Sequence, residues 1–231
     1  MITLLVEAGV LAPERQVQLN EAERHHLKVR RARAGEKVRL LDGRGGTGEG
    51  TLVGNPSEGL VQISAIGVLP VPVTRGIAVA AGDRDRFGWL VEKAAELGVT
   101  DLIPLETERT LGVASRVREQ HVERFQRRAL EAIKQSGAAW APVVHPPSTI
   151  DDLAIRRSDG IRWIADPGGA PPAMIPASEP AWAAVGPEGG FTDAECELLT
   201  RAGWTRVRLG RHILRFETAA VIAAAFMSRD S

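Results

Sequence analysis

The sequence predicts an α/β protein preceded by a smaller β-domain, and three observations predict it. Up to about residue 68, short apolar alternations are separated by Asp-Gly and Asn-Pro turns. From Val68 to Thr74 two prolines, two residues apart, break any helix or central strand and favour an extended linker. Beyond the linker, strand-like apolar runs alternate with segments of helical periodicity, the pattern of helices packed on a sheet. The composition is that of an ordinary globular chain: 231 residues, 44% hydrophobic and 25% charged, enough for one large core or two smaller ones.

In chain order, Lys37-Val-Arg-Leu-Leu41 reads as a strand, Asp42-Gly43 as a turn, followed by a Gly-rich stretch to Gly50 and another strand at Thr51 to Val53. After the linker, Ile77 to Ala81 is an apolar strand ending in the turn Gly82-Asp83. Phe87, Leu90, Val91, Ala94 and Leu97 then fall on one helical face, with Gly98 as the stop. Val99 to Leu105 is the next strand, and Val122, Phe125, Ala129 and Ile133 mark a second helix ending near Gly137. Residues 142–147 are extended between prolines. Trp163 to Ala165, Ala181 to Val185 and Arg206 to Leu209 are buried strands, the first followed by a turn-rich segment from Asp166 to Pro172.

Charge and cysteine content exclude several classes. Lys and Arg total 29 and Asp and Glu total 29, which excludes a histone-like basic protein and an acidic tail. Cys196 is the single cysteine, so an intramolecular disulfide is impossible, and no His/Cys cluster supports a structural metal site; a reducing, cytoplasmic setting is expected. The longest apolar stretch, residues 219–227, is far short of the roughly 20 residues of a membrane span, and no export signal is read at the N-terminus. The basic residues do concentrate locally. Residues 24–44 hold Arg24, Lys28, Arg30, Arg31, Arg33, Lys37, Arg39 and Arg44 against Glu36 and Asp42, a patch that fits either a solvated face or a polyanion contact.

Two loops carry the chemistry. Val185-Gly-Pro-Glu-Gly-Gly190-Phe-Thr-Asp-Ala-Glu195 is a strand entering a Gly/Pro loop and then a helix, whose start is marked by the Thr192/Glu195 capping box. Three glycines around Pro187 and Glu188 let the backbone approach a ligand closely; the alternative is a tight strand-to-helix turn and nothing more. The loop is neither a P-loop, lacking Gly-Lys-Ser/Thr, nor a Gly-x-Gly-x-x-Gly fingerprint. The second loop, Leu209-Gly-Arg-His-Ile-Leu-Arg-Phe-Glu-Thr218, brings Arg211, Arg215, Glu217 and Thr218 to the start of a small-residue helix. Both loops follow strands of an open α/β sheet, where such sheets place ligand crevices. Arg215 is either a functional cation or the partner of Glu217 or Glu188 in an ordinary ion pair.

Gly186-Pro-Glu-Gly-Gly190 followed by Leu209-Gly-x-x-Ile-Leu-Arg-x-Glu-Thr-Ala219, with Glu96-Leu-Gly98, Pro104-Leu105, Thr107-Glu-Arg109 and Gln135-Ser136 upstream, closely resembles the RsmE family of 16S ribosomal RNA uracil-N3 methyltransferases. The resemblance reaches the segment from His25 to Gly35 and so covers nearly the whole chain. It implies a PUA-like β-barrel over residues 1–70 and a SPOUT methyltransferase domain over 75–231, with a trefoil knot over about 160–231. It implies S-adenosylmethionine as donor, held by Ala165, Asp166, Gly168, Val185, Gly186, Pro187, Glu188, Gly189, Gly190, Leu209, Gly210, Ile213, Leu214 and Thr218, with no metal.

By the same resemblance Arg215 stabilises the negative charge that develops on uracil, with Glu217 orienting it or acting as base. His25, Lys28, Arg30, Arg31, Arg33, Arg109 and Arg211 contact RNA, and for His25 a structural role stays open. The implied partners are the 16S RNA or 30S subunit and a second copy of the chain. The same fold also serves 2'-O-ribose RNA methyltransferases and could persist as a non-catalytic RNA-binding or ribosome-assembly module. Where many relatives carry Glu before the Gln-Ser pair and Arg after it, this chain has Lys134 and Gly137-Ala-Ala139.

Overall fold

The computed structural model describes residues 1–156 and 159–228. Two compact units emerge, one of residues 1–72 and 130–141, the other of residues 73–129 and 142–231.

The first unit is built on a five-stranded sheet. Its strands are β1 (Ile2–Leu5), β2 (Gln16–Gln18), β3 (Lys37–Leu41), β4 (Gly46–Val53) and β5 (Leu60–Val68), in the order β1-β3-β4-β5-β2. Only the β1/β3 pair is parallel among these. Alternate residues Val38, Leu40, Leu52, Val61 and Ile63 point into a core completed by Leu4, Val17, Leu19 and Leu27. Leu27 comes from a helix, α1 (Glu21–Val29), capped where the Asn20 side chain accepts the Glu23 N–H at 2.9 Å. The expected strand at Thr51 to Val53 begins earlier, because β4 takes in the Gly-rich stretch from Gly46. Glycine hid it: Gly50 sits at a bulge between Glu49 and Gly50, and a Cβ there would lie 2.6 Å from the Val61 side chain and 2.7 Å from the Gln62 carbonyl oxygen.

Lys134, one of the departures from the family pattern, is directed inward within this unit. Its Nζ lies 2.8 Å from Glu23 Oε1, and the two side chains are 10% and 1% exposed. It therefore serves the interior of this unit, because a buried carboxylate needs a partner.

The second unit carries β6 (Arg75–Val79), α2 (Arg84–Glu96), β7 (Asp101–Glu106), α3 (Val122–Ser136), β8 (Val143–Val144), β9 (Ser148–Thr149), α4 (Ile150–Arg156), β10 (Ile161–Ala170), β11 (Ala181–Val185), α5 (Asp193–Arg201), β12 (Thr205–Val207) and α6 (Phe216–Met227). Helix α3 extends past residue 129 into the segment that clusters with the first unit. Strand order is β12-β10-β11-β6-β7-β8, with β9 also on β7, and the pairs are parallel. All five residues of β6 and of β11 are buried. That is the signature of strands covered on both faces. Ile77, Val79, Ala181, Ala183 and Val185 meet α2, α3 and α6 through Phe87, Phe125 and Ala220, whereas Ala78, Trp182 and Ala184 meet α4 and α5 through Leu153 and Leu199.

Two packing details fix the sheet. A Cβ at Gly76 would lie 2.2 Å from the Trp182 ring, so only glycine admits the indole from the neighbouring strand. Arg75 is 8% exposed and donates to the carbonyls of Met227 (2.7 Å), Ala177 (2.9 Å), Pro176 (3.3 Å) and Glu179. It ties the C-terminal end of α6 to the segment before β11, and that helix end favours a cation. Strand β10 runs further than the expected stop at Ala165. Its pairing with β12 shifts register between Ala165 and Ala170, and the intervening residues bulge out of the ladder.

Candidate active site

Parallel strands β10, β11 and β12 all deliver their C-terminal ends to the same edge of the sheet, and the chain after each forms one wall of a cavity of about 410 Å³. Its size suits a small organic ligand. After β11, Gly186 to Gly190 turn the chain into α5. Gly190 has φ +73, the left-handed region that glycine occupies without strain. Gly186 is needed for space, since a Cβ there would lie 2.9 Å from the Phe191 amide nitrogen. The loop is held at its far end by the expected capping box: the Glu195 N–H donates to Thr192 Oγ1 at 3.3 Å and the Thr192 N–H donates to Glu195 Oε2 at 2.8 Å. Glu195 Oε1 also accepts the Glu108 N–H at 2.9 Å, so the same carboxylate tethers the chain after β7.

The wall after β10 is set by Asp166. Its Oδ1 accepts the Gly168 N–H at 2.7 Å, and its Oδ2 lies 3.3 Å from Arg206 Nη1. The wall after β12 is apolar at Leu209, Ile213 and Leu214 and leads to Arg215, the N-cap of α6. Phe216 and Ala219 of α6 and Asp193 and Cys196 of α5 complete the lining. Burial pushes the Cys196 thiol up from its ordinary value, which keeps it protonated and a poor nucleophile.

The structure brings most of the expected donor-binding residues together. Ala165, Asp166, Val185, Gly186, Pro187, Glu188, Gly189, Gly190, Leu209, Gly210, Ile213 and Leu214 line the cavity; Gly168 and Thr218 stand outside its lining. Pro167 and His212, inside the expected loops, line it as well, and so do Phe191, Asp193, Cys196, Arg206, Arg208, Phe216 and Ala219, which were not expected. Most adjoin a predicted loop by one to three residues, and that proximity was the available signal.

Arg215 is exposed and makes no ion pair with a described carboxylate. Glu217 pairs elsewhere: its Oε1 lies 3.8 Å from Nη1 of Arg86, which also lies 3.3 Å from Glu188 Oε1. Arg86, in the first turn of α2 behind the Asp83 cap, was not expected, and its only sequence signal was its place after an apolar strand and a Gly-Asp turn.

Of the expected RNA contacts, Arg109 packs on the glycine loop, donating from Nη1 to the Gly190 carbonyl at 3.3 Å, and Arg211 is exposed beside the third wall. In the first unit His25, Lys28, Arg30, Arg31 and Arg33 are all exposed. The half-buried histidine is the neighbour, His26, which burial and the charge of Lys134 hold below the usual imidazole value. No group of three or more metal-ligating side chains occurs among the described residues.

A family model described as an RNA methyltransferase domain matches residues 69–228, and one described as an RNA methyltransferase PUA domain matches residues 19–64. The ribosomal RNA small subunit methyltransferase E of Synechocystis sp. is 34% identical over 233 residues, covering 94% of this chain and 75% of that protein. The Rickettsia conorii protein of the same name is 29% identical, covering 87% and 84%. A crystal structure of the Neisseria gonorrhoeae protein of that name, bound to S-adenosyl methionine, superposes with a TM-score of 0.86 at 27% identity, covering 98% of this chain and 96% of that one.

Proposed function

The chain belongs to the ribosomal RNA small subunit methyltransferase E family, and from that premise we propose that it transfers a methyl group from S-adenosylmethionine to N3 of a uridine in the 16S RNA of the small ribosomal subunit. The observation that carries this reading is the convergence of three post-strand loops on one cavity of about 410 Å³, beside an arginine paired with no described carboxylate. The cavity suits the donor. Glycine backbone at 186, 189 and 190 gives close approach, Leu209, Ile213 and Leu214 offer apolar surface, and the N-terminal turns of α5 and α6 stand at its rim. The bound donor supplies an already activated methyl group, so the protein contributes alignment and electrostatics.

Methylation at N3 removes the proton from that nitrogen and spreads negative charge onto the two flanking carbonyl oxygens. Arg215 is placed to answer that charge, because its guanidinium is exposed and its position is fixed by the first turn of α6. Glu217, two residues on, is held by Arg86 and not by Arg215, which leaves the arginine available to the acceptor. Arg109 and Arg211 add positive charge beside the loops, and Lys28, Arg30, Arg31 and Arg33 offer exposed cations to phosphates.

The substrate in this reading is a partly or fully assembled 30S subunit, and the enzyme works with it in the cytoplasm as a homodimer whose C-terminal part is threaded as a trefoil knot. No helix among the described residues is long and apolar enough to cross a membrane. The test is nucleoside digestion and mass analysis of small subunits incubated with the protein and labelled donor. 3-Methyluridine is the expected product, and a ribose-methylated nucleoside or no product would overturn the assignment.

A further inference from the structure

Arg86 enters the site from a fourth strand end, that of β6. Its Nη1 lies 3.3 Å from Glu188 Oε1 and 3.8 Å from Glu217 Oε1, and its Nε lies 4.0 Å from Asp83 Oδ2. Glu188 belongs to the loop after β11 and Glu217 to the first turn of α6, so one guanidinium spans two segments that frame the cavity. A second hollow, of about 270 Å³, is bounded by Arg86 and Arg109 and shares the Pro187-Glu188-Gly189 wall with the first.

The two glutamates differ in surroundings. The Glu188 side chain is 54% exposed, so its pair with Arg86 is screened by water and of little worth. The Glu217 side chain is 14% exposed, and its Oε2 is buried without a hydrogen-bond partner among the described residues. Removing the counter-charge of so covered a carboxylate is far more disruptive.

Resting on the reading of the cavity as a methyl-donor site, we infer that Arg86 is a positioning residue for methyl transfer. It holds Glu217 through one oxygen and so fixes the start of α6, which carries Arg215. The second Glu217 oxygen is buried, so the carboxylate depends on this one counter-charge to keep its place. The single nitrogen Nη1 faces both carboxylates, so a positive charge at this point is what the arrangement requires, and a lysine ammonium can supply it.

The experiment compares wild type with Arg86→Met, Arg86→Lys, Glu217→Gln and the Arg86→Met/Glu217→Gln double variant. Donor binding is followed by calorimetry, methyl transfer to small subunits by single-turnover rate, and folding by thermal unfolding. Arg86→Met is expected to slow transfer by about tenfold or more while donor affinity moves by less than about threefold, and Arg86→Lys is expected to recover the rate to within about threefold of wild type. In the Glu217→Gln background, Arg86→Met is expected to cost no more than about twofold, since the two residues act as one unit.

A rate for Arg86→Met within about twofold of wild type with donor binding intact would overturn the inference. So would an undiminished penalty in the Glu217→Gln background, or an Arg86→Lys rate as poor as that of Arg86→Met. The lysine variant decides the matter should the methionine variant fail to fold. A wild-type chain that binds no donor would instead overturn the reading of the cavity, and this inference with it.

Discussion

Arginines surround the cavity, and what distinguishes them is the partner each one has. Arg86 faces Glu188 and Glu217, Arg206 faces Asp166, and Arg109 donates to the Gly190 carbonyl. Arg215 is fixed at the start of a helix with its charge unanswered by any described carboxylate. Replacing it by alanine is therefore expected to leave donor affinity unchanged and to slow single-turnover methyl transfer by more than about tenfold, equivalent to roughly 1.4 kcal/mol of transition-state stabilisation. A smaller loss, or a parallel loss of donor binding, would show that Arg215 does something else. At this scale the sequence was informative wherever the backbone itself makes the contact. Gly186 and Gly190 stand out by residue type, because only glycine satisfies the crowding at one and the left-handed φ at the other. Arg86 was invisible by comparison, since its importance lies in two carboxylates that are 102 and 131 positions away along the chain.

Elements with strong local signals are where the sequence predicts them. Strands β3 and β11 have the expected ends, and the Thr192/Glu195 box starts α5 as expected. Those that were missed have weak local signals. β4 begins in glycines that offer no alternation, β10 continues through a bulge, and α1 is announced only by Asn20 followed three residues later by Glu23. The capping box also carries a load beyond its helix, because Glu195 accepts from Glu108 and so joins the glycine loop to the chain after β7. Thr192→Ala is expected to lower the unfolding midpoint by about 2–4 °C, the size of a lost N-cap in a chain of this length, and to weaken donor binding as the loop loosens. An unchanged midpoint would mean that the box contributes nothing beyond helix geometry already secured by packing.

On the scale of the whole molecule, the placement of β11 between β10 and β6 is what makes a site at all. It brings the loops after β10, β11 and β12 to one edge of the sheet, and α2 after β6 adds Arg86 beside them. The strand-helix alternation in the sequence announces a parallel sheet but not its strand order, which depends on long-range pairing. The same holds for residues 130–141, which cluster with the N-terminal strands although they lie far along the chain. Resemblance to a family supplied what periodicity could not, namely that the two glycine- and arginine-bearing loops work together. The central claim is that these loops enclose the methyl donor. The most direct test is a crystal structure of the chain grown with S-adenosylmethionine. The donor is predicted to lie against residues 185–190 and 209–214, and a donor bound elsewhere, or a cavity closed by its own side chains, would contradict the account.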